Sequence, residues 1–283
     1  MSHKRLDLIT ESRPLNSLVA YTHRFQSDRP KLNENNTLRS MIEYLIDEVE
    51  ELSGELLANI GVSNWLEWQV HFHDLNHSAS KNNLDSEQLT ALRGVTGEWG
   101  DVVHFFNDIM VGSSYSPSPS TWVNGKTPVT IRDYRQRAGE LIAEMSDAVP
   151  QELIIIQDIE DYLEEFANLF RNILKALEMV GPEEDLTPIH LLMDTALIAI
   201  FDLTNKLGIN LVAAVLFKNK RNQQKYIMKW FEENSNWTYE DARRMARELW
   251  PDEKEAALFM AFLETFGPRV FFLEDDPVQN IHH

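Results

Sequence analysis

Two pairs of acidic residues have the type and spacing that could do chemistry in this chain. Glu48 and Glu51 stand three residues apart, and so do Glu98 and Asp101. Side chains at i and i+3 share one face of an α-helix. Four carboxylates that converge from two helices repel one another unless a positive charge lies between them. Mg²⁺, or Mn²⁺, is the natural counter-charge, because hard divalent cations prefer oxygen ligands.

Two predicted helices must position these acids. Apolar residues recur at helical spacing through both segments, and Glu48, Glu51 and Glu55 lie along one border of the first apolar stripe. The acids on the other faces of that helix are expected to be solvated: Glu43, Asp47 and Glu50. Capping residues and glycines set the predicted ends, which are Asn36 or Thr37 and Gly61 for the first helix, Asp85 or Ser86 and Gly112 for the second.

The rest of the chain also favours helices. Helical patterns cover about 15 to 25, 130 to 149 and 151 to 180, and Pro188 opens an apolar helix, Ile189 to Lys206. We expect irregular structure over residues 62 to 84 and an exposed Ser/Pro-rich loop over 113 to 128. Strand signals are weak, apart from the short run 270 to 273. The predicted fold class is therefore all-α.

Aromatic and histidine side chains cluster after the first acid pair. Trp65 and Trp68 could form a wall on which a nucleobase stacks, or they could pack a loop onto the core. Phe25 is a further candidate for stacking the base. The nearby histidines could bind zinc, but their setting favours an incidental polar segment: His71, His73 and His77.

A local basic face follows the apolar helix. Lys218, Asn222 and Lys225 share one helical face at i, i+4 and i+7. In an acidic chain, such a face is suited to the outer phosphates of a metal-bound substrate. The alternative is that these cations pair with the protein's own acids.

Charge and composition limit the classes of function. The chain has 283 residues, 43% of them hydrophobic, and a formal net charge of -19, which argues against binding nucleic-acid phosphates. A nucleotide substrate is still compatible, because an acidic pocket can collect cations that then bind phosphates. There is no cysteine, the first residues lack an apolar signal segment, and we expect no membrane-spanning run of about 20 apolar residues. These features favour a cytoplasmic protein, or a phage-encoded one that acts in the host cytoplasm.

The two acid pairs, together with later segments, resemble a known family. Glu98-Trp-Gly-Asp101-Val-Val-His104-Phe105 is similar to the E-x-x-D-x-x-H-F pattern of the dimeric dUTPases, within the all-α nucleoside triphosphate pyrophosphatases that also hold MazG-like proteins. The tryptophan segment from Asn64 to Trp68 and the Lys218-x-x-x-Asn222-x-x-Lys225 segment follow in the family's order. The resemblance spans roughly residues 15 to 230.

This resemblance implies a fold, an activity and roles for residues. The expected fold is a helical bundle of the all-α NTP pyrophosphatase type over 1 to 235, with an inserted helical lobe at about 112 to 150, and a C-terminal helical extension over 236 to 283. The expected protein is a homodimer that converts dUTP or a related dNTP to dNMP and pyrophosphate. The four acids would bind Mg²⁺, Glu48 or Glu51 would act as general base, and the basic face would hold phosphates.

Two other interpretations of the sequence stay open. The same chemistry could act on dCTP or on another, non-canonical nucleotide, as in MazG-like proteins, because the segment near Phe25 offers no obvious residues that read uracil. Alternatively, the chain could be a non-catalytic acidic helical protein that mimics DNA. A DNA mimic would need no magnesium, whereas the enzyme would.

Overall fold

The computed structural model describes residues 37–80, 84–117, 133–136, 156–180 and 186–212, together with single positions flanking these ranges: Leu15, Leu18, Val19, Ile131, Ala138, Ala214, Val215, Phe217 and Lys218. Within them the chain is helical and has no strand, which confirms the all-α prediction. The predicted C-terminal extension, and most of the predicted helical lobe, lie outside the described residues, although Ile131, Ala138 and residues 133–136 of that lobe are helical.

Five α-helices make up the described part of the chain. They are α1 (Leu38–Gly54), α2 (Trp65–Ser80), α3 (Ser86–Gly112), α4 (Ile159–Met179) and α5 (Thr187–Leu207). A π-helical turn, Glu55–Ile60, extends α1. Leu15, Leu18 and Val19 are helical and buried in the core, and Leu211, Val212, Ala214 and Val215 are helical and buried after α5.

Capping residues set the helix boundaries much as the sequence predicts. The Thr37 side chain accepts a hydrogen bond from the Ser40 amide at the start of α1, and Asp85 forms a capping box with Gln88 at the start of α3. Gly61 and Gly208 end their helical segments with φ of 80° and 67°. Glycine suits both positions because a left-handed backbone conformation strains other residues.

The two helices that carry the acids pack side by side and antiparallel. A Cβ added at Gly112, the last residue of α3, would lie 3.5 Å from Leu38 at the start of α1. Towards the other end of the pair, the Glu55 side chain lies over Gly94. Both helices contribute buried apolar side chains to the same core: Leu45, Val49 and Leu52 from α1, Val95, Trp99 and Val102 from α3.

Helix α2 corrects the prediction of irregular structure over 62 to 84. Trp65–Ser80 is helical, and an isolated bridge joins Asn64 to Asp158 just before α2 and α4 begin. Trp68 donates its indole N–H to the Leu207 carbonyl oxygen over 3.1 Å, and Phe72 lies against Gly208. Contacts with the end of α5 therefore stabilise a helix whose own polar sequence is a weak helical signal.

Helix α5 is long and apolar enough to cross a membrane, by length and composition alone. This corrects the expectation that no run of this length exists. Most of the helix is buried inside the protein, in contact with α4 and α2, and packing in a core accounts for the same composition.

Candidate metal and phosphate site

Three of the four predicted acids meet between α1 and α3. One carboxylate oxygen each from Glu48, Glu98 and Asp101 lie within 4.8 Å of one another, and we call these residues the acid triad. Asp101 is buried, with 7% of its surface exposed, while Glu48 and Glu98 are half-buried. The triad therefore offers converging oxygen ligands from two antiparallel helices at the edge of the core.

Glu51 lies one turn beyond Glu48, outside the acid triad. Its side chain is exposed, yet it is close enough for its charge to raise the pKa of Glu48. The structure thus brings Glu51 near the site without placing its oxygens among the three that converge.

Glycine at position 100 lets a third segment reach the triad. A Cβ at Gly100 would come within 2.8 Å of both the Ala214 carbonyl oxygen and the Lys218 Cβ. Only a residue without a side chain allows this approach of the segment after α5 to α3. Gly100 is therefore what permits Lys218 to lie beside Asp101.

Lys218 is the described member of the predicted basic face, and it lies at the acid triad. Its ammonium group forms an ion pair with the Asp101 carboxylate, and both side chains are largely buried. Its charge also lowers the pKa of Glu48, against the other influences on that residue. Asn222 and Lys225, the other two predicted phosphate-binding residues, lie outside the described residues.

Glu48 is held in an environment that disfavours its charged form. Burial raises the pKa of the Glu48 carboxyl to about 7, and the charges of Glu51, Glu98 and Asp47 add to this shift. Lys218 offsets only part of it. A further positive charge close to Glu48 would favour the ionised form of its carboxyl.

The predicted base-stacking tryptophans occupy the core instead. Trp65 is 2% exposed and Trp68 0%, so neither ring has a face open to a nucleobase. Trp65 packs edge-on against Tyr162, with their ring centroids 5.2 Å apart. The interpretation that these tryptophans pack onto the core, left open by the sequence, is the one that the structure supports. Phe25, the third predicted base-binding residue, lies outside the described residues.

The side chains of His71 and His73 do not support a zinc site. His73 is highly exposed and lies 3.7 Å from Asp74, while His71 lies against Trp68. Among the described residues, the acid triad is the cluster whose ligand atoms converge as a metal site would require.

Two further groups on α1 and α3 have no role assigned from the sequence, although His104 and Phe105 belong to the motif that begins at Glu98. Asp108, His104 and Asn107 are buried polar residues on α3, and burial raises the pKa of the Asp108 carboxyl to about 7. Tyr44 and Phe105 form an aromatic pair across α1 and α3. Their signal in the sequence is a spacing: Tyr44 precedes Glu48 by four residues, and Phe105 follows Asp101 by four.

The donor set of the triad fits Mg²⁺. All three ligand atoms are carboxylate oxygens, and Mg²⁺ in proteins is commonly bound through a few carboxylates together with waters and substrate phosphates. Zinc is a poorer fit, because it favours nitrogen and sulfur ligands.

Comparisons with known proteins identify no relative of this chain. The chain matches no protein-family model, no curated protein and no solved structure.

Proposed function

We propose that this protein is a metal-dependent nucleoside triphosphate pyrophosphohydrolase of the dimeric dUTPase type, which converts a dNTP, dUTP or a related nucleotide, to dNMP and pyrophosphate. The observation that carries the proposal is the acid triad with Lys218 at its edge. Carboxylates that gather cations, next to a lysine that can contact phosphate, form a combination suited to a triphosphate.

Each described residue has a distinct part in this proposal. Glu48, Glu98 and Asp101 would hold Mg²⁺, which when bound supplies positive charge for the triphosphate and lowers the pKa of a coordinated water. The Lys218 ammonium, which pairs with Asp101, would contact phosphate oxygens of the substrate.

Glu51 is the residue best placed to act as general base. It lies beside the triad but outside its converging oxygens, so its carboxylate is available to accept a proton. Water adds to the α-phosphorus, its proton passes to a Glu51 carboxylate oxygen, and the bond from the α-phosphorus to the bridging oxygen breaks. Pyrophosphate leaves, and the products are a nucleoside monophosphate and pyrophosphate.

The test is release of pyrophosphate from a panel of dNTPs and NTPs, with Mg²⁺ and with EDTA. We expect pyrophosphate release with Mg²⁺ and none with EDTA. Glu98→Gln and Asp101→Asn should abolish this release, while both variants keep the helical circular dichroism spectrum of wild type. Glu87→Gln is the matched control, because Glu87 is an exposed acid in the first turn of the same helix.

The panel also separates the alternatives. Turnover of dCTP or of a non-canonical nucleotide in place of dUTP would keep the chemistry and change the substrate. If no nucleotide is hydrolysed under any condition, the proposed activity is refuted, and a non-catalytic acidic protein becomes the better interpretation.

A further inference from the structure

An aromatic pair lies beside the acid triad. The ring centroids of Tyr44 on α1 and Phe105 on α3 are 5.6 Å apart, and their planes are inclined by 38°. Tyr44 is 46% exposed, and Phe105 is half-buried. The pair therefore joins α1 to α3, and nearly half of the Tyr44 surface is open to solvent.

The position of this pair follows from helix geometry. Tyr44 is four residues before Glu48, and Phe105 is four residues after Asp101, so each shares a helix face with a member of the triad. Because α1 and α3 are antiparallel, a step back along α1 and a step forward along α3 lead in the same direction. The aromatic pair therefore lies about one helical turn, roughly 5.4 Å of helix axis, from the triad.

We infer that Tyr44 and Phe105 form the platform on which the base of the nucleotide substrate stacks. The inference rests on the proposed function, since it places the base of a triphosphate held at the acid triad. The base does not fit between the two rings, because they already contact each other. A base inserted between them would need a separation of about 7 Å, twice the ordinary contact distance between carbon atoms. The base therefore lies on the exposed face of the pair, where Tyr44 is open.

The aromatic pair also predicts the breadth of the specificity. Stacking on an aromatic face suits any base, because every base has a π-face. Recognition of one base in particular requires hydrogen-bonding groups in addition. A platform built on Tyr44 and Phe105 thus supports binding of both pyrimidine and purine nucleotides.

The experiment compares a nucleotide with a ligand that has no base. Calorimetric titrations of dUTP, dATP and inorganic tripolyphosphate are made in Ca²⁺, a hard cation that also takes oxygen ligands, and hydrolysis is measured separately in Mg²⁺. Tyr44→Ala should weaken binding of both nucleotides about tenfold, in line with the loss of one stacking contact. Binding of tripolyphosphate should stay unchanged, and Tyr44→Trp should keep wild-type affinity for the nucleotides.

Leu66→Ala is the matched control, because Leu66 is a large apolar side chain, 67% exposed, on α2. It should leave all three affinities unchanged. Phe105→Leu is a second variant, which keeps an apolar side chain against α1. It should also weaken the binding of both nucleotides and leave the binding of tripolyphosphate unchanged.

The outcomes separate this inference from the proposed function. Equal nucleotide affinities in wild type and Tyr44→Ala overturn the platform, whether or not the protein is an enzyme. A base-dependent loss of affinity in a protein without turnover supports the platform and overturns the hydrolase proposal. Failure of wild type to bind any of the three ligands overturns both.

Discussion

The Lys218 ammonium forms an ion pair with the Asp101 carboxylate across the contact between α3 and the segment after α5. Two residues 117 positions apart in the chain thus meet at the acid triad. The pair supplies a positive charge among three carboxylates, which would otherwise repel one another.

Replacing Lys218 by Met should destabilise the protein most when no divalent cation is present. Asp101 is buried and would lose its ion-pair partner, and breaking a buried pair costs about 3 to 5 kcal/mol in the free energy of unfolding. Urea unfolding in EDTA measures this loss. Adding Mg²⁺ should recover part of it, because the ion would replace the missing charge.

Lys175→Met is the control for this variant, since Lys175 is exposed on α4. Its free energy of unfolding should match that of wild type with and without Mg²⁺. Equal loss in Lys218→Met with EDTA and with saturating Mg²⁺ would contradict a cation site at the triad.

Replacing Glu48 by Gln should stabilise the metal-free protein at pH 8. The folded-state pKa of Glu48 is raised to about 7 by burial and by neighbouring acids, so the folded protein favours the protonated form. The cost of ionising Glu48 is absent below its ordinary pKa, grows as the pH rises towards 7, and is complete above that value. Because the side chain is partly exposed, we expect a gain of only about 1 kcal/mol.

The pH dependence distinguishes this effect from a general gain in stability. Thermal unfolding in EDTA should give similar midpoints for Glu48→Gln and wild type at pH 4, and a higher midpoint for the variant at pH 8. The same variant should lose the stabilisation by Mg²⁺. A variant that is less stable than wild type at pH 8 in EDTA would show that the Glu48 carboxylate is not under strain.

The sequence predicts the local features of this site and misses those that depend on how helices meet. The ends of α1 and α3 were predictable because Thr37 and Asp85 cap them through short-range hydrogen bonds. The position of Glu98 and Asp101 on one face of α3 was predictable because their spacing fixes a helix face, whereas their meeting with Glu48 depends on how α1 packs against α3. Helix α2 was not predictable from its own sequence, because Trp68 is held by a hydrogen bond to the Leu207 carbonyl oxygen, 139 residues away. The pairing of Tyr44 with Phe105 likewise requires the register of α1 against α3, which spacing within one helix does not give.

Gly100→Ala tests the close approach of the segment after α5 to α3. The added methyl group would come within 2.8 Å of the Ala214 carbonyl oxygen and of the Lys218 Cβ, so this segment must move away. We expect a loss of about 1 to 3 kcal/mol in the free energy of unfolding, as for other overpacked sites. The displacement of Lys218 should also lower the affinity for tripolyphosphate.

Gly54→Ala should have the opposite effect on stability. Gly54 ends α1 in a right-handed helical conformation, and a Cβ there would meet nothing within 4 Å. Alanine should stabilise this position by about 0.5 to 1 kcal/mol, because glycine loses more backbone entropy on folding. If Gly100→Ala is as stable as Gly54→Ala, the contact between Gly100 and the segment that carries Lys218 is absent in solution.

Tyr162→Phe should destabilise the core in a way that depends on pH. The Tyr162 hydroxyl donates a 2.7 Å hydrogen bond to the Asp202 carboxylate, and both residues are buried. Burial raises the pKa of Asp202, while Lys206 and this hydrogen bond lower it.

Without the hydroxyl, the folded-state pKa of Asp202 rises further, and its ionised form becomes more costly to bury. The loss in the free energy of unfolding should therefore be smaller at acidic pH, where the protonated form of Asp202 is favoured, and should grow to about 1 to 3 kcal/mol as the pH rises and the carboxyl ionises. Urea unfolding across this pH range measures the difference, with the exposed Tyr44→Phe as control. A loss that is the same at every pH would mean that the Tyr162 hydroxyl stabilises the protonated and ionised forms of Asp202 equally.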